Sequence, residues 1–195
     1  DEDLDYLTGD IAIGHTRYST TGTSNIKNAQ PMVVDGENFK LAIAHNGNVV
    51  NSLELKRELE ELGEEFNTSS DSEVIAKIIA SAPANTWEGR IAYLMRKVQG
   101  AYSLTLMTEK ELIAVRDPLG VRPLCFGSVN GGWIIASESC ALDNVGAKFV
   151  REVNPGEAIM FDSKGFKSIY QKDNEKCSFC VFEHIYFARP DSELD

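Results

Sequence analysis

The stretch Ile91-Ala92-Tyr93-Leu94-Met95-Arg96-Lys97-Val98-Gln99-Gly100-Ala101-Tyr102-Ser103-Leu104-Thr105-Leu106 contains a change of period. Ile91, Leu94, Met95 and Val98 fall at i, i+3, i+4 and i+7, the stripe of an amphipathic helix. Beyond Gly100, Tyr102, Leu104 and Leu106 alternate with Ser103 and Thr105, which is the two-residue period of a strand. Working back from the switch, this helix starts near Thr86. A second opens at Ser70, where Glu73 completes a capping box; Val74, Ile75, Ile78 and Ile79 form its buried face and Pro83 ends it. A first opens at Asn51, paired with Glu54, carries Leu55, Leu59 and Leu62 as its stripe and stops at Gly63. Residues 11–16 and 31–50 alternate as β-structure.

Working forward, segments 112–116, 121–128, 132–137, 156–161 and 166–171 read as strands. Asn130-Gly131 and Ser163-Lys164-Gly165 stand where hairpin turns belong. Turns this short demand antiparallel neighbours, since parallel strands need long crossovers. The class is therefore α+β, with antiparallel sheets and helices on the outside.

Composition sets outer limits. The 195 residues suffice for one domain with a short appendage, and 43% hydrophobic against 25% charged residues describes a globular protein with its own core. Nineteen Lys and Arg against thirty Asp and Glu give a net charge of −11, which argues against nucleic acid as a partner. No apolar run is long enough to span a bilayer, so no membrane partner is expected. Four cysteines and no signal peptide point to a reducing, cytoplasmic setting rather than a disulfide framework.

Four stretches are denser in special residues than packing requires. In Gly14-His15-Thr16-Arg17-Tyr18-Ser19-Thr20-Thr21-Gly22, a guanidinium and hydroxyls sit between two glycines. They can hold a carboxylate, or can satisfy their own loop. In Ala44-His45-Asn46-Gly47-Asn48, at the end of a strand 40–44, Asn-Gly is either a turn or a pair of donors for an oxyanion. In Ser69-Ser70-Asp71-Ser72-Glu73, Asp71 either answers the helix dipole or binds an ammonium. Arg116-Asp117-Pro118-Leu119-Gly120-Val121-Arg122-Pro123 reads as a rigid, supporting loop between two hairpin strands.

In this order the stretches, with Gln30-Pro31 and the closing Glu183-His184-Ile185-Tyr186-Phe187-Ala188-Arg189-Pro190-Asp191-Ser192, resemble the class II glutamine amidotransferases, a branch of the N-terminal-nucleophile hydrolases. Within that class the resemblance is to enzymes that make 5-phosphoribosylamine from phosphoribosyl diphosphate, the first committed step of purine biosynthesis. Glucosamine-6-phosphate synthase is a weaker match, and a non-catalytic glutamine-binding module is the non-enzymatic alternative. The resemblance implies a four-layer αββα sandwich. It implies a glutaminase domain over residues 1–171 and, over 172–195, a linker and the start of a phosphoribosyltransferase half. It places Arg17 and Thr20 on the α-carboxylate of glutamine, Asp71 on its α-ammonium, and Asn46 and Gly47 on the tetrahedral oxyanion.

The same resemblance carries expectations about what lies outside the chain. The family's nucleophile is a Cys at the mature N-terminus, whereas this chain opens at Asp1. It is accordingly read as a fragment, incomplete in its first strands and inactive alone. No cofactor is expected for the glutaminase half, and Mg2+ for the phosphoribosyltransferase half. A four-iron iron–sulfur cluster is carried by some members through a Cys at the position of Cys180. Homo-oligomers are expected of the full-length protein.

Overall fold

The computed structural model describes residues 8–16, 26–172 and 192. Two antiparallel sheets dominate it. The larger has six strands, β1 (Met32–Asp35), β2 (Lys40–Val49), β3 (Gly100–Met107), β4 (Leu112–Arg116), β8 (Glu157–Asp162) and β9 (Gly165–Gln171), hydrogen-bonded in that spatial order. The smaller has β5 (Cys125–Val129) at its centre between β6 (Gly132–Ala136) and β7 (Lys148–Glu152). Three helices, α1 (Ser52–Glu61), α2 (Asp71–Ala80) and α3 (Trp87–Lys97), fill the chain between β2 and β3; α4 (Ser139–Asn144) follows β6.

The alternation in the strands sorts side chains to the two faces of the larger sheet. Leu104, Leu106, Ile113 and Val115 point to one face, where they pack with Leu55, Leu59, Val74, Ile75, Ile78, Ile79, Ile91 and Leu94 from the three helices. Ala114, Ile159 and Phe161 point to the other, where they meet Leu124, Phe126 and Val153 and, partly buried, Trp133 and Ile135. Rings of Phe126, Trp133, Phe161 and Phe166 make edge and tilted contacts at centroid distances of 4.8–6.3 Å across this seam. On the outer side of the smaller sheet, Leu142 of α4 packs on Cys125. The order is helices, sheet, sheet, helix: the expected αββα sandwich.

Some local expectations are corrected. Residues 11–16 form no strand. Their period of two persists in burial, with Ile11, Ile13 and His15 half-buried, but no ladder forms on them among the described residues. Asn51 precedes α1 without capping it; its carboxamide instead accepts from Gln99 N–H and donates to the Lys97 carbonyl, tying the start of α1 to the end of α3. Leu62 lies beyond the last turn of α1 and is 80% exposed, so only Leu55 and Leu59 form the buried stripe. Strand 121–128 begins later, at Cys125, because residues 117–124 are occupied in crossing between sheets. Nothing in the pattern marks β7 or α4: Lys148, Phe149 and Val150 are all exposed on an edge strand, and α4 is only six residues long.

The crossing itself differs from the hairpin loop expected. β4 belongs to the larger sheet and β5 to the smaller, so the Arg116–Pro123 loop carries the chain from one layer to the next. Asp117 and Arg116 hold it. The Asp117 carboxylate, in a residue that is 0% exposed, accepts N–H bonds from Tyr102, Leu119 and Val121. Its main chain adds more: N–H to the Tyr102 carbonyl, and its carbonyl from Gly120 and Gly156. The Arg116 guanidinium reaches the Arg122, Gly120 and Val153 carbonyls and pairs with Glu152 at 2.7 Å. Burial pushes the Asp117 carboxyl above its usual range, opposed by the bonds it accepts. Asp117→Ala is expected to cost about 3 kcal/mol or more, because three backbone donors lose a buried acceptor worth roughly 1–3 kcal/mol each. Denaturant unfolding measures it; a cost below about 1 kcal/mol would mean that the crossing holds without this carboxylate.

Candidate functional site

Asn46 and Gly47 do not form a turn. β2 runs on to Val49, and in its ladder with β3 Asn46 faces Ser103 and Gly47 faces Tyr102. The strand ending expected at residue 44 is thus corrected, and with it the turn reading of Asn-Gly. Glycine is required at 47 for a steric reason. Its φ is +152°, and a Cβ would lie 2.0 Å from the Ala101 carbonyl oxygen and 2.8 Å from the Tyr102 Cα. Gly100, with φ +137°, meets the same limit from β3, where a Cβ would lie 2.3 Å from the Asn48 carbonyl oxygen. The two strands approach more closely here than any side chain permits.

The Asn46 carboxamide is held on both sides. Its Oδ1 accepts from Arg122 Nε at 3.1 Å and Nη2 at 2.6 Å. Its Nδ2 donates to Ser137 Oγ at 3.2 Å. An amide nitrogen has two hydrogens, and the second has no partner among the described residues. Asn46 and Gly47 are both half-buried, so this free donor lies at the boundary of solvent.

Asp71 is brought to the same place by α2. Ser70 caps that helix, its Oγ accepting from Ser72 N–H, and Glu73 turns back to take Asn67 N–H, Thr68 N–H and the Thr68 hydroxyl. This departs from a capping box, in which Glu73 would bond Ser70 N–H; that donor goes to Thr68 Oγ1. Asp71 Oδ2 then accepts from Val49 N–H at 3.0 Å, which pins the helix start to the end of β2, three residues from Asn46. His45 lies beneath. Its N–H donates to Gln30 Oε1 and its carbonyl accepts from Gln30 Nε2, so a side-chain amide prolongs the ladder beyond β1. The ring Nδ1 is 3.0 Å from Ser72 Oγ and 3.8 Å from Asp71 Oδ1.

Of the residues singled out from the sequence, Asn46, Gly47 and Asp71 are therefore brought together at the end of β2. Arg17, Thr20 and Cys180 lie outside the described residues, as do Cys177 and the closing Glu183–Asp191 stretch. Arg122, Ser137 and Gln30 belong to the site and were not among the expected site residues. Gln30-Pro31 was marked only as part of the resemblance, and the two arginines of the Arg116–Pro123 loop do not tell which one leaves the loop. Cys125 and Cys140 are buried, free thiols; burial pushes Cys125 up to about 12, far from a thiolate at neutral pH. Among the described residues no group of three or more His, Cys, Asp or Glu could hold a metal, and no helix is long and apolar enough to cross a membrane.

A family profile for a glutamine amidotransferase domain matches residues 1–191. An amidophosphoribosyltransferase of Archaeoglobus fulgidus is 43% identical, over 100% of this chain and 43% of its own. Amidophosphoribosyltransferase 2 of Arabidopsis thaliana, a chloroplastic protein, is 49% identical over 97% of this chain and 34% of its own. The solved glutamine phosphoribosylpyrophosphate amidotransferase of Bacillus subtilis, complexed with ADP and GMP, superposes with a TM-score of 0.83 at 41% identity, over 93% of this chain and 39% of its own. The chain thus spans less than half the length of these relatives.

His45 yields a pH expectation. Burial lowers its pKa from 6.5 to about 4; the Asp71 charge opposes this, and His15 and Arg122 add to it. Between those values the unfolded chain binds a proton that the native ring refuses. Stability is therefore full above about pH 6.5 and falls towards pH 4, by about 3 kcal/mol. Unfolding of the native protein and of His45→Gln across this range isolates the contribution, since acid losses from carboxylates are common to both. Parallel profiles would show that His45 is not held neutral.

Proposed function

The chain belongs to the glutamine amidotransferase domain family, and from that premise we propose that it is the glutaminase half of an amidophosphoribosyltransferase. In this reading it releases ammonia from glutamine for the synthesis of 5-phosphoribosylamine from phosphoribosyl diphosphate, the first committed step of purine biosynthesis. The observation that carries it is the second Asn46 N–H, without a partner among the described residues, held beside Gly47 and within three residues of the strand position to which Asp71 is bonded.

Each group has a part that follows from its chemistry. A thiolate attacks the side-chain carbonyl carbon of glutamine, and the C=O electron pair moves onto oxygen. Asn46 Nδ2–H and Gly47 N–H donate to that oxygen, whose charge exists only at and near the transition state. The pair then re-forms the carbonyl as the C–N bond breaks, ammonia leaves with the proton that the thiol had given to the α-amine of the same N-terminal Cys, and water hydrolyses the thioester to glutamate. Asp71 holds the substrate's α-ammonium, while Arg17 and Thr20 hold its α-carboxylate. The attacking thiolate comes from the N-terminal Cys of the full-length protein; the buried thiols of Cys125 and Cys140 are unsuited to it.

The domain boundary near residue 171, Mg2+ in a following phosphoribosyltransferase half and a homo-oligomeric parent belong to the same proposal. A four-iron cluster ligated through Cys180 would draw its other ligands from outside the described residues, among which no group of three or more His, Cys, Asp or Glu could hold a metal. No step above passes through it. Free thiols suit a cytoplasmic setting.

Two substitutions in the full-length protein separate the roles. Asn46→Asp keeps the shape but gives no N–H and adds a negative charge beside the developing one. Glutamine-dependent kcat is expected to fall about 10²–10³-fold with KM little changed. Asp71→Asn is expected to act the other way, raising KM for glutamine at least about tenfold, since it removes a charge that meets the ground-state ammonium. Near-normal turnover by a folded Asn46→Asp enzyme would remove Asn46 from the oxyanion site and the proposal with it.

A further inference from the structure

We propose that Arg122 is the positioning residue of this site: its guanidinium fixes which way the Asn46 carboxamide faces and so keeps an N–H, rather than a carbonyl, turned towards the substrate. The inference rests on the oxyanion reading of Asn46 and adds the residue on which that reading depends.

A carboxamide has two orientations of nearly identical shape, related by a half-turn about its last bond, with donor and acceptor exchanged. In one, Asn46 offers N–H to a developing oxyanion. In the other it offers an oxygen, which repels it. Shape cannot choose between them, so the choice falls to the hydrogen-bond partners. Ser137 cannot decide it, because a hydroxyl donates or accepts as required. A guanidinium is different: it carries donors only and stays charged at any working pH. Two of those donors, Arg122 Nε and Nη2, converge on Asn46 Oδ1 at 3.1 and 2.6 Å. Flipping the amide would exchange two charge-assisted hydrogen bonds for an NH2 group set against a cation. The same charge draws electron density towards Oδ1 and makes the remaining N–H a stronger donor.

The loop backbone that carries this side chain is held by other groups. The Arg122 carbonyl accepts from Arg116 Nε and from Ser103 Oγ, and Val121 N–H is held by Asp117. Ser103 is the residue that faces Asn46 across the β2–β3 ladder, so the loop backbone is docked beside the amide it controls. The two arginines of the loop thus divide the work: Arg116 holds the loop's carbonyls, and Arg122 reaches into the site.

The test is a double-mutant cycle in the full-length protein, with glutamine as nitrogen source. Arg122→Met keeps an unbranched stem and removes both donors. It is expected to lower kcat for glutamine about tenfold or more, with KM within about twofold, since the amide then samples both orientations. In an Asn46→Ala background the same substitution is expected to change kcat by less than about twofold, because there is no amide left to orient. Arg122→Lys, which keeps the charge but not the fork, serves as the second variant if Arg122→Met folds poorly. Its smaller loss should likewise vanish in the Asn46→Ala background. A loss of equal size with and without Asn46 would assign Arg122 a structural role and overturn the inference, as would an unaffected kcat in Arg122→Met. If Asn46→Ala itself leaves glutamine turnover intact, it is the oxyanion reading that fails, and the positioning role falls with it.

Discussion

A carboxylate buried without exposure, Asp117, is the point on which both sheets turn. It sits where the chain leaves β4 and must reach β5 in the opposite layer, and backbone in such a crossing cannot satisfy itself by ladder pairing. Asp117 supplies the acceptors: its side chain takes N–H groups from β3 and from two loop residues, and its carbonyl takes two more. Removing a carboxylate from water is costly, and the raised pKa records that cost. It is tolerated because several fixed donors surround the charge and would otherwise be unsatisfied.

The site inherits its precision from this crossing. β2 lies between β1 and β3, stitched on one side by Gln30 and on the other by an approach so close that Gly47 and Gly100 admit no side chain. Asp71 is added from α2 through Val49, and Arg122 from the crossing loop through Asn46. Three separate segments thus meet on the last residues of one strand. Their mutual positions are set by hydrogen bonds between elements that are themselves packed on a common core.

The electrostatics are equally local. A chain of net charge −11 presents an acid, neutral donors and a guanidinium within a few residues of one another. His45 is kept neutral beneath them, so its ring adds no charge to the site at neutral pH while its Nδ1 stays beside Ser72. Such pairwise complements act over a few ångströms, whereas the overall field falls off within roughly 10 Å in salt.

By itself the sequence determined the α+β class, the three helices before the switch at Gly100 and most strands after it, because a period of 3.6 or 2 is written in consecutive residues. It also marked Asn46, Gly47 and Asp71, whose residue types in that order carry a resemblance. What only the tertiary structure decided was where those residues sit. Asn-Gly is a turn signal in any local reading; it lies inside a strand here because β3 pairs with it from 55 residues away, a contact no local window contains. β7 and α4 escaped notice since an exposed edge strand and a six-residue helix have too little apolar pattern to register. Arg116 and Arg122 are alike in the sequence, six residues apart in one loop. They part only when the chain crosses between sheets, where one guanidinium holds carbonyls of its own loop, the Val153 carbonyl and Glu152, and the other donates to the Asn46 amide. Hydrogen-bond partners are a property of space, and space is settled by the packing of the whole.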